Sequence, residues 1–367
     1  MKIPTFLVMS AVAFSLFGDE EIALQKKPSP IHRAGKEERL MALETKVNES
    51  FTGTARGDFG AKAASARPQM SNGNIGLFVE AEALYWQQYE GGNDTAFTSV
   101  TTGPTQYLRD KELTFDWDFG FRVETGYRTP HDSWDLLARY TWMRSRGNDS
   151  VNKPTGGFVT PLYPPIQTDT STTLVKSLQN TSLSVLDFEW NKNYFLNPHF
   201  GMKPWMGLRT GWISQTLKQK AVNYITPGTT LKVTGRNDFW GIGPWTGVET
   251  TWFVNSSWNF FHSIGGSLMV GSFDVGSKVS QNSTKLVSLK ADTTRIVPML
   301  QGSLGFGWET NFDQNQRHVA IRAAYEISHW WRQNQMLNFQ TASEPLLSRF
   351  AEDLGFQGVS LQLLFDF

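Results

Sequence analysis

The sequence predicts an all-β fold: a transmembrane antiparallel up-and-down β-barrel of about ten strands, with a short periplasmic segment ahead of it. Three observations carry this expectation. The last ten residues set Val359, Leu361, Leu363, Phe365 and Phe367 against Gly358, Ser360, Gln362 and Asp366, with Leu364 alone out of pattern. The amino end has the order of an export signal, and between the two ends the same alternation recurs in ten long segments joined by alternately short and long connections. A strand with one apolar and one polar face suits a wall with lipid outside and water inside. The closing aromatics Phe365 and Phe367 read as the assembly signal for the barrel assembly machinery of bacterial outer membranes. A period of two alone says only that one face is buried, so the weight rests on the three observations together.

Met1 and Lys2 lead into the apolar run Ile3 to Phe17, followed by Gly18 and the acidic Asp19, Glu20 and Glu21. That order is a secretory signal peptide, assigned to residues 1–18. The run is shorter than the roughly 20 apolar residues of a spanning helix, and no later stretch reaches that length. Membrane residence therefore has to be as a barrel, the other structure that satisfies every backbone group in lipid. Residues 19–72 are polar, and Leu40, Leu43 and Val47 fall at heptad-like spacing within Lys36 to Ser50. Two heptads are few for a coiled coil. The segment reads as a flexible periplasmic lead-in, with a short coiled coil between protomers or a lumenal plug as the sharper alternatives. Residues 73–367 are assigned to the barrel.

The ten segments follow in order. Gly76 to Gln87 puts Leu77, Val79, Ala81, Ala83 and Tyr85 on one side and Glu80 and Glu82 on the other. Leu113 to Arg128 opposes Phe115, Trp117, Phe119, Phe121, Val123 and Tyr127 to Asp116, Asp118, Arg122 and Glu124, which calls for a wet interior. Trp134 to Arg144 opposes Trp134, Leu136, Ala138, Tyr140 and Trp142 to Asp135 and Arg139. Segments four to ten are Ser182 to Asn191, His199 to Ile213, Asp238 to Phe253, Trp258 to Phe273, Thr294 to Thr310, His318 to Trp331 and Leu354 to Phe367.

Short connections at 129–133, 192–198, 254–257 and 311–317 alternate with long polar ones at 88–112, 145–181, 214–237, 274–293 and 332–353. Short periplasmic turns, long external loops and an even strand count are the pattern of outer-membrane barrels. Hairpins within the long loops, around Thr226-Pro227-Gly228 or Gln281-Asn282-Ser283, would raise the count to twelve or more. Tryptophans gather at segment ends: Trp134, Trp190, Trp252, Trp258 and Trp308 toward the short turns, and Trp142, Trp212, Trp240 and Trp330 toward the long loops. These nine read as two aromatic girdles at the membrane interfaces.

Composition narrows the function. Formal net charge is zero, and nucleic acid is excluded as a default partner because phosphate binding needs clustered excess Lys and Arg. The chain has no cysteine, hence no disulfide framework, thiolate metal site or thiol nucleophile. The 14 tryptophans and 32 glycines suit interface belts and tight or bent strands.

The stretch Phe115-Asp116-Trp117-Asp118-Phe119-Gly120-Phe121-Arg122-Val123, followed by Pro130-His131-Asp132-Ser133-Trp134-Asp135-Leu136 and preceded by Glu82-Ala83-Leu84-Tyr85-Trp86, resembles the major outer membrane proteins of Chlamydia-related bacteria and the Legionella-type outer membrane porins. His199 to Ile213 and Asn237 to Val248 are similar to later strands of the same family, so the resemblance spans Ile75 to the carboxy-terminus. It implies an abundant surface barrel acting as a general porin, often oligomeric and exposed to the host. Chlamydial members are cysteine-rich and cross-linked by disulfides; this chain, without cysteine, departs from them there.

A porin filters by radius and wall charge. The strand registers place Glu80, Glu82, Asp116, Asp118, Arg122, Glu124, Asp135, Arg139, Lys203, Arg209, Glu249, Arg322 and Glu326 along the pore, together with Asp187, Glu189, Arg295 and Glu309. The acid excess points to weak cation selectivity, unless facing acids and bases such as Glu124 and Arg139 pair and cancel. Trp86, Trp205, Trp245 and Phe261 on the same registers argue against a wide opening, since small barrels are filled by their own side chains. An enzyme is not expected: no histidine sits beside a carboxylate on one face in a way that would serve a nucleophile. No metal-ligand spacing appears, and neither metal nor cofactor is expected. The expected function is passive diffusion of small hydrophilic solutes and ions. The alternative is a non-conducting surface barrel whose Thr- and Asn-rich loops, such as Asn148 to Ser177, serve as adhesin or envelope structure. Expected partners are outer-membrane lipid, the assembly machinery, a second copy of the chain and a host surface ligand.

Overall fold

The computed structural model describes residues 76–128, 134–162, 171–197, 199–255, 257–312, 317–339, 347–349 and 351–366. The signal peptide at 1–18, the lead-in at 19–72 with its Lys36 to Ser50 stretch, and Phe367 lie outside the described residues.

In chain order the strands are β1 (Leu77–Glu90), β2 (Asp94–Thr102), β3 (Thr105–Glu112), β4 (Thr114–Phe115), β5 (Trp117–Arg128), β6 (Trp134–Asn152), β7 (Gly157–Pro161), β8 (Leu174–Lys192), β9 (Tyr194–Asn197), β10 (Phe200–Val222), β11 (Thr230–Phe253), β12 (Trp258–Gln281), β13 (Thr284–Phe312), β14 (Arg317–Asn334), β15 (Leu337–Phe339), β16 (Leu347–Arg349) and β17 (Glu352–Asp366). Ten of them, β1, β5, β6, β8, β10, β11, β12, β13, β14 and β17, pair with their neighbours antiparallel and close into one barrel. Closure is made by β1 against β17, from Phe78 opposite Asp366 to Glu90 opposite Leu354. With that seam paired the barrel wall has no edge, the condition for crossing lipid with strands.

The ten segments read from sequence are these ten strands; nine run further at their external ends, whereas the second, read as Leu113 to Arg128, keeps only Trp117–Arg128 in β5. β12 and β13 are 24 and 29 residues long, against the roughly 9–11 that cross a bilayer. The expected external loops at 214–237 and 274–293 are therefore mostly continuing ladder. The turn at Gln281-Asn282-Ser283 caps these same two strands and adds none: Asn282 and Ser283 both have positive φ, 45° and 73°, the conformation of a two-residue hairpin turn that matches strand twist. Thr226-Pro227-Gly228 likewise lies in the connection between β10 and β11. Extra strands do form outside the barrel wall, as a three-stranded sheet of β3, β2 and β7 and a pair of β15 with β16.

Side chains alternate as expected. Val79, Phe119, Leu136, Phe188, Leu208, Ile242, Leu268, Leu304, Ile327 and Leu361 stand exposed on the outside, a continuous apolar band that no water-facing surface carries and that lipid covers. Phe365 is half-buried at the end of β17. Leu364, the exception in the terminal pattern, sits opposite Glu80 and Ala320. One outward assignment of the second segment fails. Phe115 lies 4% exposed on the two-residue strand β4, because the ladder breaks at Asp116 and the chain turns that ring inward.

Glycine lets the wall close tightly at β8 and β10. A Cβ on Gly207 would stand 1.8 Å from the carbonyl oxygen of Phe188, so Gly207→Ala must displace backbone. It is expected to cost about 1–3 kcal/mol of barrel stability, the usual penalty of overpacking, measured by urea unfolding of the refolded protein in vesicles through tryptophan fluorescence.

Candidate functional site

The lumen is the place where the sequence concentrates charge, and the structure pairs that charge. β1, β5 and β14 bring Glu82, Arg122 and Glu326 together. Arg122 donates from Nη1 to Glu82 Oε2 at 2.5 Å and forks onto both oxygens of Glu326 at 3.0 Å, while its Nε donates to Thr141 Oγ1 at 3.1 Å. Ser360 adds a donor to Glu326 at 2.8 Å. Arg139 bridges Glu124 and Glu189 at 2.8 and 2.7 Å, and Trp245 Nε1 donates to the same Glu189 oxygen at 2.9 Å. Arg209 forks onto Asp187 at 2.6 and 2.8 Å, and Arg322 reaches Glu249 at 2.7 Å. A planar guanidinium with five donors suits such two-carboxylate bridging, and burial without it would be costly.

Two cavities flank this ionic layer. One of about 80 Å³ is lined by Glu82, Arg122, Lys203, Gln301 and Arg322 among others, and Glu80 borders it with Gln362 donating to its carboxylate. The other, of about 140 Å³, lies toward the short turns among Phe78, Glu124, Tyr194, Asn259 and His318. Each has room for a few waters. Asp135 is fully buried near the same end.

Toward the outside the lumen holds an apolar layer. Leu84, Trp86, Met143, Ile213, Phe239, Met269, Phe273, Trp330 and Phe356 pack into one cluster. Arginines cap its charged side: Arg209 lies 3.6 Å over the Trp245 ring and Arg122 5.5 Å over Trp86, the geometry of a cation on a π face. Glycines make the room; a Cβ on Gly265 would meet Trp245 at 2.5 Å and Trp205 at 2.8 Å. Beyond that layer Glu90 is held by amides alone, from Gln88 and Gln215 at 2.8 Å and Gln179 at 2.5 Å. A second apolar cluster with Val175, Leu217, Leu231, Val233 and Val279 fills the external part of the barrel.

The inward assignments of Glu80, Glu82, Arg122, Glu124, Asp135, Arg209 and Glu326 coincide with buried positions, and half-buried Arg139 lies with Lys203, Glu249 and Arg322 along the cavities. Asp116 does not belong with them. The break between β4 and β5 leaves it exposed at the wall, accepting from Asn148 at 3.4 Å. Asp118 is half-buried and accepts the Arg146 backbone N–H at 2.9 Å, outside both cavities. The girdle assignment of Trp330 is also corrected. Its register with Glu326 on β14 turns it inward, 1% exposed, and Trp331 takes the outward place. The other eight girdle tryptophans are on the outer wall. The rings of Phe239, Phe273 and Phe356 went unread in sequence, although inward aromatics facing glycines were the available signal.

Polar groups also cluster outside the lumen. On the outer wall His329 joins three strand ends, with Tyr89 Oη 3.3 Å from Nδ1 and Asp353 Oδ2 3.1 Å from Nε2. On the external sheet the carboxylates of Asp94, Asp110 and Glu112 lie within 4.8 Å of one another. Partial burial first, then the hydrogen bond and charge of Asp110 and the charge of Glu112, push the Asp94 carboxyl up to about 6.

The family model of the Legionella pneumophila major outer membrane protein precursor matches residues 69–367. No curated protein matches the chain. Among solved structures, the outer membrane protease OmpT of Escherichia coli aligns at 9% identity over 81% of this chain and 99% of its own, with a TM-score of 0.43. The attachment invasion locus protein Ail of Yersinia pestis aligns at 9% identity over 80% and 100%, TM-score 0.25. A Pseudomonas aeruginosa FadL homologue aligns at 7% over 84% and 94%, TM-score 0.25.

Removing the bridging cation from the Glu82 and Glu326 pair leaves two buried carboxylates facing each other. Arg122→Met is expected to destabilise the barrel by about 3–5 kcal/mol, and adding Glu326→Gln to restore part of it; urea unfolding of the single and double variants measures both. Asp94 binds its proton more tightly folded, at about 6, than unfolded, at 3.8. Its contribution to the external sheet is therefore full below about pH 4 and fades as pH rises through 6. The carboxyl carbon of Asp94 should titrate near pH 6 by NMR, and Asp110→Asn should move that midpoint down.

Proposed function

The chain belongs to the Legionella pneumophila major outer membrane protein family, and from that premise we propose that it is an outer-membrane surface barrel that rests closed to solutes. The observation that carries this reading is the succession of side-chain layers across the lumen: an ionic layer, an apolar layer with Trp86, Phe273 and Trp330 at its centre, the Glu90 amide layer and a second apolar cluster. A barrel of this strand number is narrow enough for side chains to fill it. What the molecule then offers its surroundings is the external extension, where Tyr107 and Leu108 of β3 stand exposed as ground for a host ligand to dock. Glu82, Glu124, Asp187, Glu189, Glu249 and Glu326 are tied to guanidinium groups, which supports a non-catalytic role.

A second reading, passive diffusion of ions and small hydrophilic solutes, has an observation of its own. Ionisable groups at membrane depth persist where they face a water path or serve function, and here Lys203 and Arg322 border both cavities. Glu80, Glu82, Glu124, Asp187, Glu189, Glu249 and Glu326 outnumber Arg122, Arg139, Arg209, Arg322 and Lys203 in this layer, so a path through it would favour cations. Passage then requires the apolar layer to part.

Conductance in a planar bilayer separates the two. The refolded chain is expected to stay silent under voltage, and the double variant Phe273→Ala, Trp330→Ala to open steps with a cation-biased reversal potential. Steady discrete steps from the unaltered chain would replace the closed reading with the porin.

A further inference from the structure

The outer wall carries an apolar concave feature that the lumen does not explain. An open depression of about 830 Å³ crosses β5, β6, β8, β10 and β11. Its floor is small: Ala138 stands between Thr125 and Phe188 in the ladder, and Gly207 has no side chain to raise it. Leu136, Phe188 and Trp190 form walls. Over so small a floor an acyl chain can lie closer to the wall than it can over the flanking rings.

The end of the groove nearer the short turns carries the polar complement. Trp134 and Trp190 pack edge to face with centroids 6.2 Å apart, opposite each other's strand neighbours Lys192 and Leu136. Lys192 lies two positions past Trp190 on β8, its ammonium 5.2 Å from the Trp134 ring and 5.7 Å from Tyr194. It has no carboxylate partner among the described residues. Tryptophans mark the level of the headgroups, and a cation held there by aromatic faces meets the phosphate of whatever chain lies in the groove.

We propose that this groove and Lys192 together hold one anionic phospholipid of the inner leaflet, its acyl chain over Ala138 and its phosphate on the ammonium. The short turns face the periplasm in barrels of this kind, which places the site in that leaflet.

The test uses the full refolded chain, delipidated in detergent and then equilibrated with vesicles of phosphatidylglycerol or phosphatidylcholine; retained lipid per protein is read by native mass spectrometry. Phosphatidylglycerol is expected to be retained at one per chain and about fivefold over phosphatidylcholine, the effect of one lysine at an anionic surface. Lys192→Gln should abolish that preference while leaving the folded, heat-modifiable band unchanged. Ala138→Phe, which fills the floor, should lower retention of both lipids. Equal retention of the two lipids by the unaltered chain, or a preference that survives Lys192→Gln, overturns the proposal and leaves only annular lipid. Should Ala138→Phe fail to fold, Lys192→Gln alone decides.

Discussion

Everything in this molecule depends on the seam between β1 and β17. Thirteen residues of β1, from Phe78 to Glu90, are set against β17 in unbroken register, and only that closure satisfies the backbone of the first and last strands in a medium without water. Once the seam is paired, the period of two divides every wall residue between lipid and lumen, and a slip of one residue would turn the whole set over. Glu80 and Glu82 are inside because Val79 and Ala81 are outside.

The lumen then has to be filled under constraints the wall sets. Inward positions carry carboxylates and guanidinium groups on neighbouring strands, so they find one another at the same height: Glu82 opposite Arg122, Glu124 opposite Arg139, Asp187 opposite Arg209. A buried charge without such a partner costs several kcal/mol, and the bridging of two acids by one arginine spreads few cations over many acids. The aromatic layer above depends on the same wall, because Gly241, Gly265 and Gly271 leave the space its rings occupy.

How much was legible follows from where the information lies. Strand number, the faces of β1, β6 and β12, and most of the lumenal charge are written in local alternation, which needs no knowledge of partners. Phe115 and Asp116 were misread because a ladder break between β4 and β5 resets the phase, and nothing in the alternation marks it. Trp330 was misread by its place near a loop, although its own register with Glu326 pointed inward. The length of β12 and β13 was hidden because an extension in water on its outer face is polar there, as in the exposed Lys278 and Lys290, and so resembles a loop. Whether the lumen was open could not be read from single strands, since it depends on rings from β1, β11, β12, β14 and β17 meeting at one height.

The two-residue turn at Asn282 and Ser283 has a consequence beyond strand count. Some ten to fifteen residues of each flanking strand lie past the bilayer, roughly 30–50 Å of ladder at about 3.3 Å per residue. The protein thus carries a stiff mast rather than a floppy fringe, and with strands tilted by about 45° its tip stands roughly 20–35 Å clear of the lipid. Sequence at the tip can be rewritten under pressure from phage or antibody while the wall below keeps every hydrogen bond.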